Sequence, residues 1–290
     1  MLKSLDSLNI TVIAEDTVPY ESPLWGQHGI SFLVEGISGE SSQCVMVDVA
    51  QNFTALEHNM TVLGLDFSML DTLMITHCHY DHSKGISLVL EATGKEDVPV
   101  VAHSDLFRLH FVTDPFLMHV GIMGSDSRQR IEDAGGTLFL TSEPLDLMPG
   151  LRSTGEVPRI TAFEDPGIAL KTIDDGKIRN DLVMDDISLV ANVRDKGLVI
   201  ITGCSHAGIV NIARYAMELF PGVPLEGIIG GLHLVEASDE KIGKTVKALV
   251  DLNPKWISAG HCTGFRAQVK LLEAFGDRFE PLSSGKTFRI

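Results

Sequence analysis

An apolar run, LMIT (73–76), passes without a linker into HCHYDH (77–82), and a helical stretch, SKGISLVLEAT (83–93), begins where that ends. A strand that leads straight into polar residues and then a helix belongs in the interior of a sheet, with its ligands at the strand's C-terminal end. His77 and His79 are residues i and i+2 leaving a strand, so they point to the same side and can share one ion. Asp81 and His82 fall in the turn that opens the helix, where they can face a second ion. Imidazole and carboxylate together suit zinc, manganese or iron. A polar surface loop is the alternative reading, but it gives no reason for this spacing. The segment therefore predicts a chain built around metal, with two divalent ions favoured over one and zinc ahead of manganese or iron.

The rest of the chain supplies a sheet for that strand. NITVIAE (9–15), GISFLVE (29–35) and CVMVDV (44–49) are β-rich runs separated by Gly, Ser and Pro. A helix is expected over 52–64 and a further strand at VPVVAH (98–103). Residues 104–150 break this rhythm and read as an excursion from the core, a wall or lid over a pocket. The alternation then resumes with strands at 187–193 and 198–202, a helix over 207–220 and a strand at 225–230. A helix over 239–251, a strand at 256–259 and a helix over 265–275 complete the pattern. The fold class is α/β, and the chain reads as one domain, 1–290, made of two similar halves.

With 290 residues, 44% of them hydrophobic, the chain can bury a large core. Its net charge of −16 and the lack of any Lys/Arg cluster argue against nucleic acid as a partner. A small anionic substrate stays compatible, because bound metal ions reverse the local field. Cys44, Cys78, Cys204 and Cys262 form no CxxC pair, which sets aside zinc-ribbon and thioredoxin readings. Read as reduced thiols, they point to the cytoplasm. No signal-peptide run opens the chain, and no stretch approaches the ~18 apolar residues of a membrane span. A small-molecule substrate is expected, and the choice between monomer and homo-oligomer stays open.

HCHYDH, written HxHxDH, resembles the signature of the metallo-β-lactamase superfamily. Asp48 in VMVDVA matches the Asp those proteins carry after an early strand, with Ala50 in place of their usual Gly. Gly260-His261 matches their late histidine. The resemblance implies an αββα sandwich with a di-metal site on its edge, in which His261 completes the second metal's shell. QHGISFLVE (27–35), TGEVPR (154–159), MDDISLV (184–190), TGCSHAGIVN (202–211), GGLHL (230–234) and GHCTG (260–264) resemble one subgroup. That subgroup contains a dihydropterin-ribofuranosylaminobenzene-phosphate synthase and many predicted metal-dependent hydrolases. Here Gln27 stands where the subgroup often has Glu.

The departures from the wider superfamily concern the first ion. Gly203-Cys204 falls where a bridging Asp follows a Gly, so Cys204 is a candidate bridging thiolate or else a small buried residue. No histidine occupies the usual position of the third ligand. His206 is the best substitute, and Asp186, with Asp185 beside it, lies close to that position. His233, after paired glycines, and His28 are candidate substrate-facing residues. Arg159 is a candidate for a substrate phosphate or a structural salt bridge. His103, His110 and His119 are assigned to the wall segment and His58 to an ordinary helix face. No GxSxG elbow, P-loop or GxGxxG is present.

These residues together point to a metal-dependent hydrolase of a small phosphorylated or ester substrate. Asp81 would position the attacking water, with Asp186 and Cys204 as candidate catalytic groups. The subgroup resemblance adds a synthase-like transfer as an alternative. A di-iron redox or non-catalytic metal-binding protein is a third reading.

Overall fold

The computed structural model describes residues 3–166 and 169–290, with strands and helices numbered below in chain order. One seven-stranded sheet runs in the order β18 (Thr287–Arg289), β1 (Ser7–Ala14), β2 (Ser31–Ser38), β3 (Ser41–Val47), β4 (Thr72–Met74), β5 (Val98–Ala102), β8 (Gly136–Leu140). The second runs β17 (Phe279–Pro281), β16 (Trp256–Gly260), β15 (Leu225–Gly231), β14 (Gly197–Thr202), β13 (Leu189–Val193), β10 (Leu151–Ser153), β9 (Leu145–Met148). In each, an antiparallel part joins a parallel one: β3, β4, β5 and β8 are parallel neighbours, as are β14, β15, β16 and β17.

Strand alternation builds the layers. In β3, Val45 and Val47 face the second sheet while Met46 faces outward; in β14, Val199 and Ile201 face the first sheet while Leu198 and Ile200 face outward. The inward set, with Ile10, Val12, Phe32 and Leu189, forms the core between the sheets. Outside the first sheet, α1 (Phe53–Val62), α3 (Ile86–Thr93), which follows the one-turn α2 (Tyr80–Ser83), and α4 (Arg128–Asp133) bury Leu56, Met60, Val89 and Ile131. Outside the second, α5 (Ile209–Leu219), α6 (Asp239–Leu252) and α7 (Phe265–Phe275) bury Ile212, Val246 and Leu271. This is the αββα sandwich implied by the resemblance, a layer order dictated by sheets that must hide both faces.

A third, four-stranded sheet, β12 (Lys177–Asn180), β11 (Lys171–Asp174), β6 (Phe111–Val112), β7 (Met118–His119), stands apart from the sandwich. Here the structure differs from the expected excursion over 104–150. Only its first part, with β6 and β7, leaves the core; α4, β8 and β9 belong to the sandwich layers. The physical reason is that β8 and β9 are edge strands exposing alternate residues, so their apolar signal is weak. The other half of the small sheet comes from 171–180, far along the chain.

Functional candidates cluster because strand ends do. Asp48 follows β3, residues 75–82 follow β4, Cys204 and His206 follow β14, His233 follows β15 and His261 follows β16. Crevices beyond the carboxyl ends of parallel strands are where such sheets hold ligands.

Candidate metal centre

The backbone is bent hard at this edge. Asp48, Ser205, His233 and His261 all have positive φ, 59°, 62°, 44° and 48°, a conformation side-chain-bearing residues adopt only when the surroundings enforce it. Gly203 permits the closest approach: a Cβ there would lie 2.7 Å from the carboxylate of Asp48 and overlap the hydroxyl of Thr76.

Four of the histidines have an outer nitrogen anchored and an inner one turned toward the others. The Asp48 carboxylate accepts from Nδ1 of His82 at 2.7 Å and from the Thr76 hydroxyl at 2.7 Å. Having donated its proton, Thr76 Oγ1 accepts from Nδ1 of His77 at 3.0 Å. Nδ1 of His206 donates to the Pro166 carbonyl at 3.0 Å, and Nδ1 of His261 faces Asp16 at 3.4 Å. A neutral imidazole that donates from Nδ1 carries its lone pair on Nε2. The Nε2 atoms of His77, His82, His206 and His261 therefore turn inward, bare acceptors on His77 and His206 and, once a second proton has left, on His82 and His261.

Those acceptors converge. Nε2 of His82 lies 3.3 Å from Nε2 of His261 and 3.1 Å from Sγ of Cys204. Asp81 Oδ2 is 3.4 Å from His82 and 3.2 Å from His261. Nε2 of His77 is 3.0 Å from Nδ1 of His79. Nε2 of His206 is buried and has no hydrogen-bond partner among the described residues. Four ligand groups at this edge have all their ligand atoms within 4.8 Å of one another: Cys204–His233–Cys262, Asp16–His28–His261 and, deepest in the fold, Asp81–His82–Cys204–His261 and His77–Cys204–His206. Cys204 belongs to both of these last two, and to the first as well. Donors about 2.1 Å from a tetrahedral ion sit roughly 3.4 Å apart, so the spacing and the orphaned lone pairs both fit divalent metal.

The electrostatics divide the two deepest groups: the rings of His77 and His206 are held neutral, while His82 and His261 favour a second proton that a bound metal would displace. Burial and the neighbouring imidazoles hold His77 and His206 well below the usual histidine range, so they stay neutral donors. Burial opposes charge on His82 too, but Asp81 and Asp48 outweigh it and lift its pKa to about 9. For Asp81, burial is outweighed by His82 and His261, which hold the carboxyl well below its ordinary range. Burial pushes the Cys204 thiol up, so an adjacent cation is needed to ionise it.

Asp81, Cys204, His206 and His261 of these groups line a cavity of about 320 Å³. Its lining combines polar residues, among them Asp16, His28, His79, Asp81, His206, His233, Glu236 and His261, and the thiols of Cys204 and Cys262, with Tyr80, Val112, Met118, Val120, Leu170 and Val235. Among the described residues, no Lys or Arg lines it. His28 is half-exposed, 3.4 Å from both Asp16 and Asp81. The ring of His233 packs against His206 at 4.1 Å between centroids, and neither of its nitrogens has a hydrogen-bond partner among the described residues.

Two candidates stand outside. Arg159 donates to the carbonyls of His206, at 2.7 Å, and Val183, at 2.6 Å, so its charge braces the His206 loop from behind. Asp186 is fully buried and accepts from the Ala207 N–H at 2.8 Å, with burial lifting its pKa to about 7. Three further residues, Asp16, His110 and Asp181, belong to this neighbourhood without any local sequence signal. His110, expected in the wall, places its Nε2 2.6 Å from Nε2 of His79. Such partners meet only in the folded chain.

No protein-family model matches the chain. It is 36% identical to the 7,8-dihydropterin-6-methyl-4-(β-D-ribofuranosyl)-aminobenzene-5′-phosphate synthase of Methanocaldococcus jannaschii, over 99% of this chain and 98% of that protein. A second protein of the same organism, described as uncharacterized, is 32% identical over 89% of this chain and 92% of its own length. Among solved structures, a metal-dependent hydrolase of the β-lactamase superfamily superposes with a TM-score of 0.81 at 24% identity, covering 98% of this chain and 99% of that one. The metallo-β-lactamase fold protein YhfI of Bacillus subtilis shares the same fold with a TM-score of 0.57 at 12% identity, covering 98% and 100%. With the sandwich, the histidine-rich strand ends and a full-length relative in agreement, the chain is an enzyme with the metallo-β-lactamase fold and belongs to the family of the dihydropterin-ribofuranosylaminobenzene-phosphate synthase.

Proposed function

We propose that the protein is a hydrolase that cleaves a small phosphate- or ester-bearing molecule at two divalent ions. The observation that carries this reading is the deepest pair of ligand groups, which share Cys204 at the cavity. His77, His79 and His206 hold the first ion; Asp81, His82 and His261 hold the second; Cys204 lies between. Bound there, such ions lower the pKa of water and polarise a phosphoryl or carbonyl oxygen. The thiolate favours zinc, then iron or manganese, over magnesium. Asp81, in the lining of the cavity, would orient the attacking water. With no Lys or Arg among the described residues of the lining, a substrate anion has to seat toward the metal end. Val112, Met118, Val120 and Leu170 then shelter its carbon body. His28 and His233 face the substrate, while Arg159 and Asp186 support the His206 loop. The four unpaired, buried cysteines fit a reducing compartment, and we place the protein in the cytoplasm.

A synthase-like transfer is the second reading, favoured by the 36% identical relative. In it the apolar wall holds two aromatic partners while a diphosphate leaves at the metal end. That likeness does not single out the reaction, since the 32% identical protein of the same organism carries no assigned activity.

Elemental analysis and two assays on the purified protein separate these readings. Two metal equivalents with turnover of phosphate esters or lactones are expected. Consumption of a pterin diphosphate together with a ribofuranosyl-aminobenzene phosphate, and no ester hydrolysis, would replace hydrolysis by transfer. Protein that takes up no metal would overturn both.

A further inference from the structure

His79 breaks the rule its neighbours follow. His77, His82, His206 and His261 are anchored on oxygen, directly or through Thr76; His79 is anchored on another imidazole, that of His110. We propose that His110, held by Asp181, is a positioning residue that dictates which ring nitrogen of His79 faces the first ion. The inference rests on the reading that His77 and His79 serve that ion.

Hydrogen-bond polarity carries the argument along the chain of contacts. Asp181 accepts from Arg108 Nε at 2.7 Å and from the Val183 N–H at 2.7 Å, so its carboxylate acts only as an acceptor. Arg108 and His110 beside it hold it well below the usual carboxylate range despite burial. His110 Nδ1 lies 2.6 Å from Asp181 Oδ2 and must therefore donate. Arg108 Nη2, 3.3 Å from the same nitrogen, is itself a donor and cannot compete. A neutral His110 that donates from Nδ1 accepts at Nε2. His79 Nε2, 2.6 Å away, must then be the donor. The lone pair of His79 is left on Nδ1, the atom 3.0 Å from Nε2 of His77.

The same contacts tie the small sheet to the ligand loop. Arg108 and His110 precede β6, and Asp181 follows β12. Arg108 also pairs with Asp185 at 2.7 Å, and Asp185 accepts the N–H of Cys78, between the two ligands, at 2.8 Å. The wall over the cavity is thus fastened both to the loop backbone and to the His79 ring.

Nitrogen-15 NMR of the imidazoles in metal-free protein reads the tautomer without any activity assay, and zinc titration reads the consequence. In the unaltered protein His79 should carry its proton on Nε2. His110→Ala should give mixed tautomers at His79 and weaken the first zinc equivalent about 10- to 100-fold, leaving the second unchanged. His110→Gln, whose amide offers one acceptor and one donor, should restore most of that affinity. Should His110→Ala fail to fold, Asp181→Asn, of equal size, is read in the same two ways. An unchanged His79 tautomer, or equal weakening of both zinc equivalents, would overturn the proposal. Protein that binds no zinc, yet shows the Nε2 proton on His79, would sink the metal reading and leave the relay standing.

Discussion

The carboxylate of Asp48 lies 2.7 Å from Nδ1 of His82 and accepts both the N–H and the hydroxyl of Thr76, each also at 2.7 Å. Through Thr76 it fixes the tautomer of His77 as well. One fully buried acid therefore orients a donor in each of the two deepest ligand groups. Asp48→Ala should weaken both metal equivalents about 10- to 100-fold, unlike the selective loss expected at His110. Leaving buried donors unpaired should also lower stability by about 3 kcal/mol. Metal titration and denaturant unfolding measure the two effects, and loss of one equivalent alone would contradict the shared role.

His206→Ala and His261→Ala should each lose one metal equivalent, and a different one. His206 reaches Cys204 and His77, whereas His261 reaches Asp81 and His82. Cys204→Ala should weaken both. Each change should lower kcat by about 100-fold or more, since activation of water needs the full centre. Elemental analysis alongside steady-state assays checks this; variants that keep two equivalents would refute the assignment.

Much of this centre could be read from the sequence, because the informative residues sit where local pattern is strongest. HCHYDH follows an apolar strand, His206 follows LVIIT by four residues and His261 follows WISA by two, so the same alternation that shows the strands shows their ends. The anchoring residues have no such signal. Asp181 and His110 are 71 positions apart, and Asp16 and His261 are 245 apart. Arg159 illustrates the converse: in TGEVPR a guanidinium aimed at a phosphate and one aimed at two carbonyls look identical. The edge strands β8 and β9 are hard to see for a related reason, being half-exposed and short.

Gly203→Ala tests how tightly the centre is packed. Its new methyl would sit 2.7 Å from Asp48 and collide with Thr76, both fully buried. A loss of about 3 kcal/mol or more is expected, together with weakened binding of both ions, because the collision falls on the residue that orients both groups. Thermal unfolding compared with the unaltered protein decides; a shift within about 1 kcal/mol would mean the loop relaxes freely.

Glu164 accepts the N–H groups of Val210 and Asn211 at 2.9 and 2.8 Å, at the start of α5, and burial lifts its pKa to about 7. A carboxyl whose folded pKa is raised keeps its proton longer when folded than when unfolded. Its contribution to stability is therefore unchanged below about pH 4.5, falls as pH rises, and levels off above about pH 7. The full swing is at most about 3 kcal/mol. Glu164→Gln should abolish that slope, and unfolding curves of both proteins across about pH 4 to 8 would show it. Parallel curves would remove Glu164 as the source.

Cys204, His206 and His261 leave the ends of one sheet, and His77, His79, Asp81 and His82 leave a strand of the other. Ions held between them would act as a clasp on one rim of the sandwich, added to the apolar packing that joins the two sheets elsewhere. A clasp of this kind makes the strength of the fold a function of metal supply. Free metal at about a hundred times the dissociation constant of a site adds about 2.7 kcal/mol per site. Under starvation for metal the rim would loosen first, so that scarcity would silence the protein by opening its edge before unfolding its core.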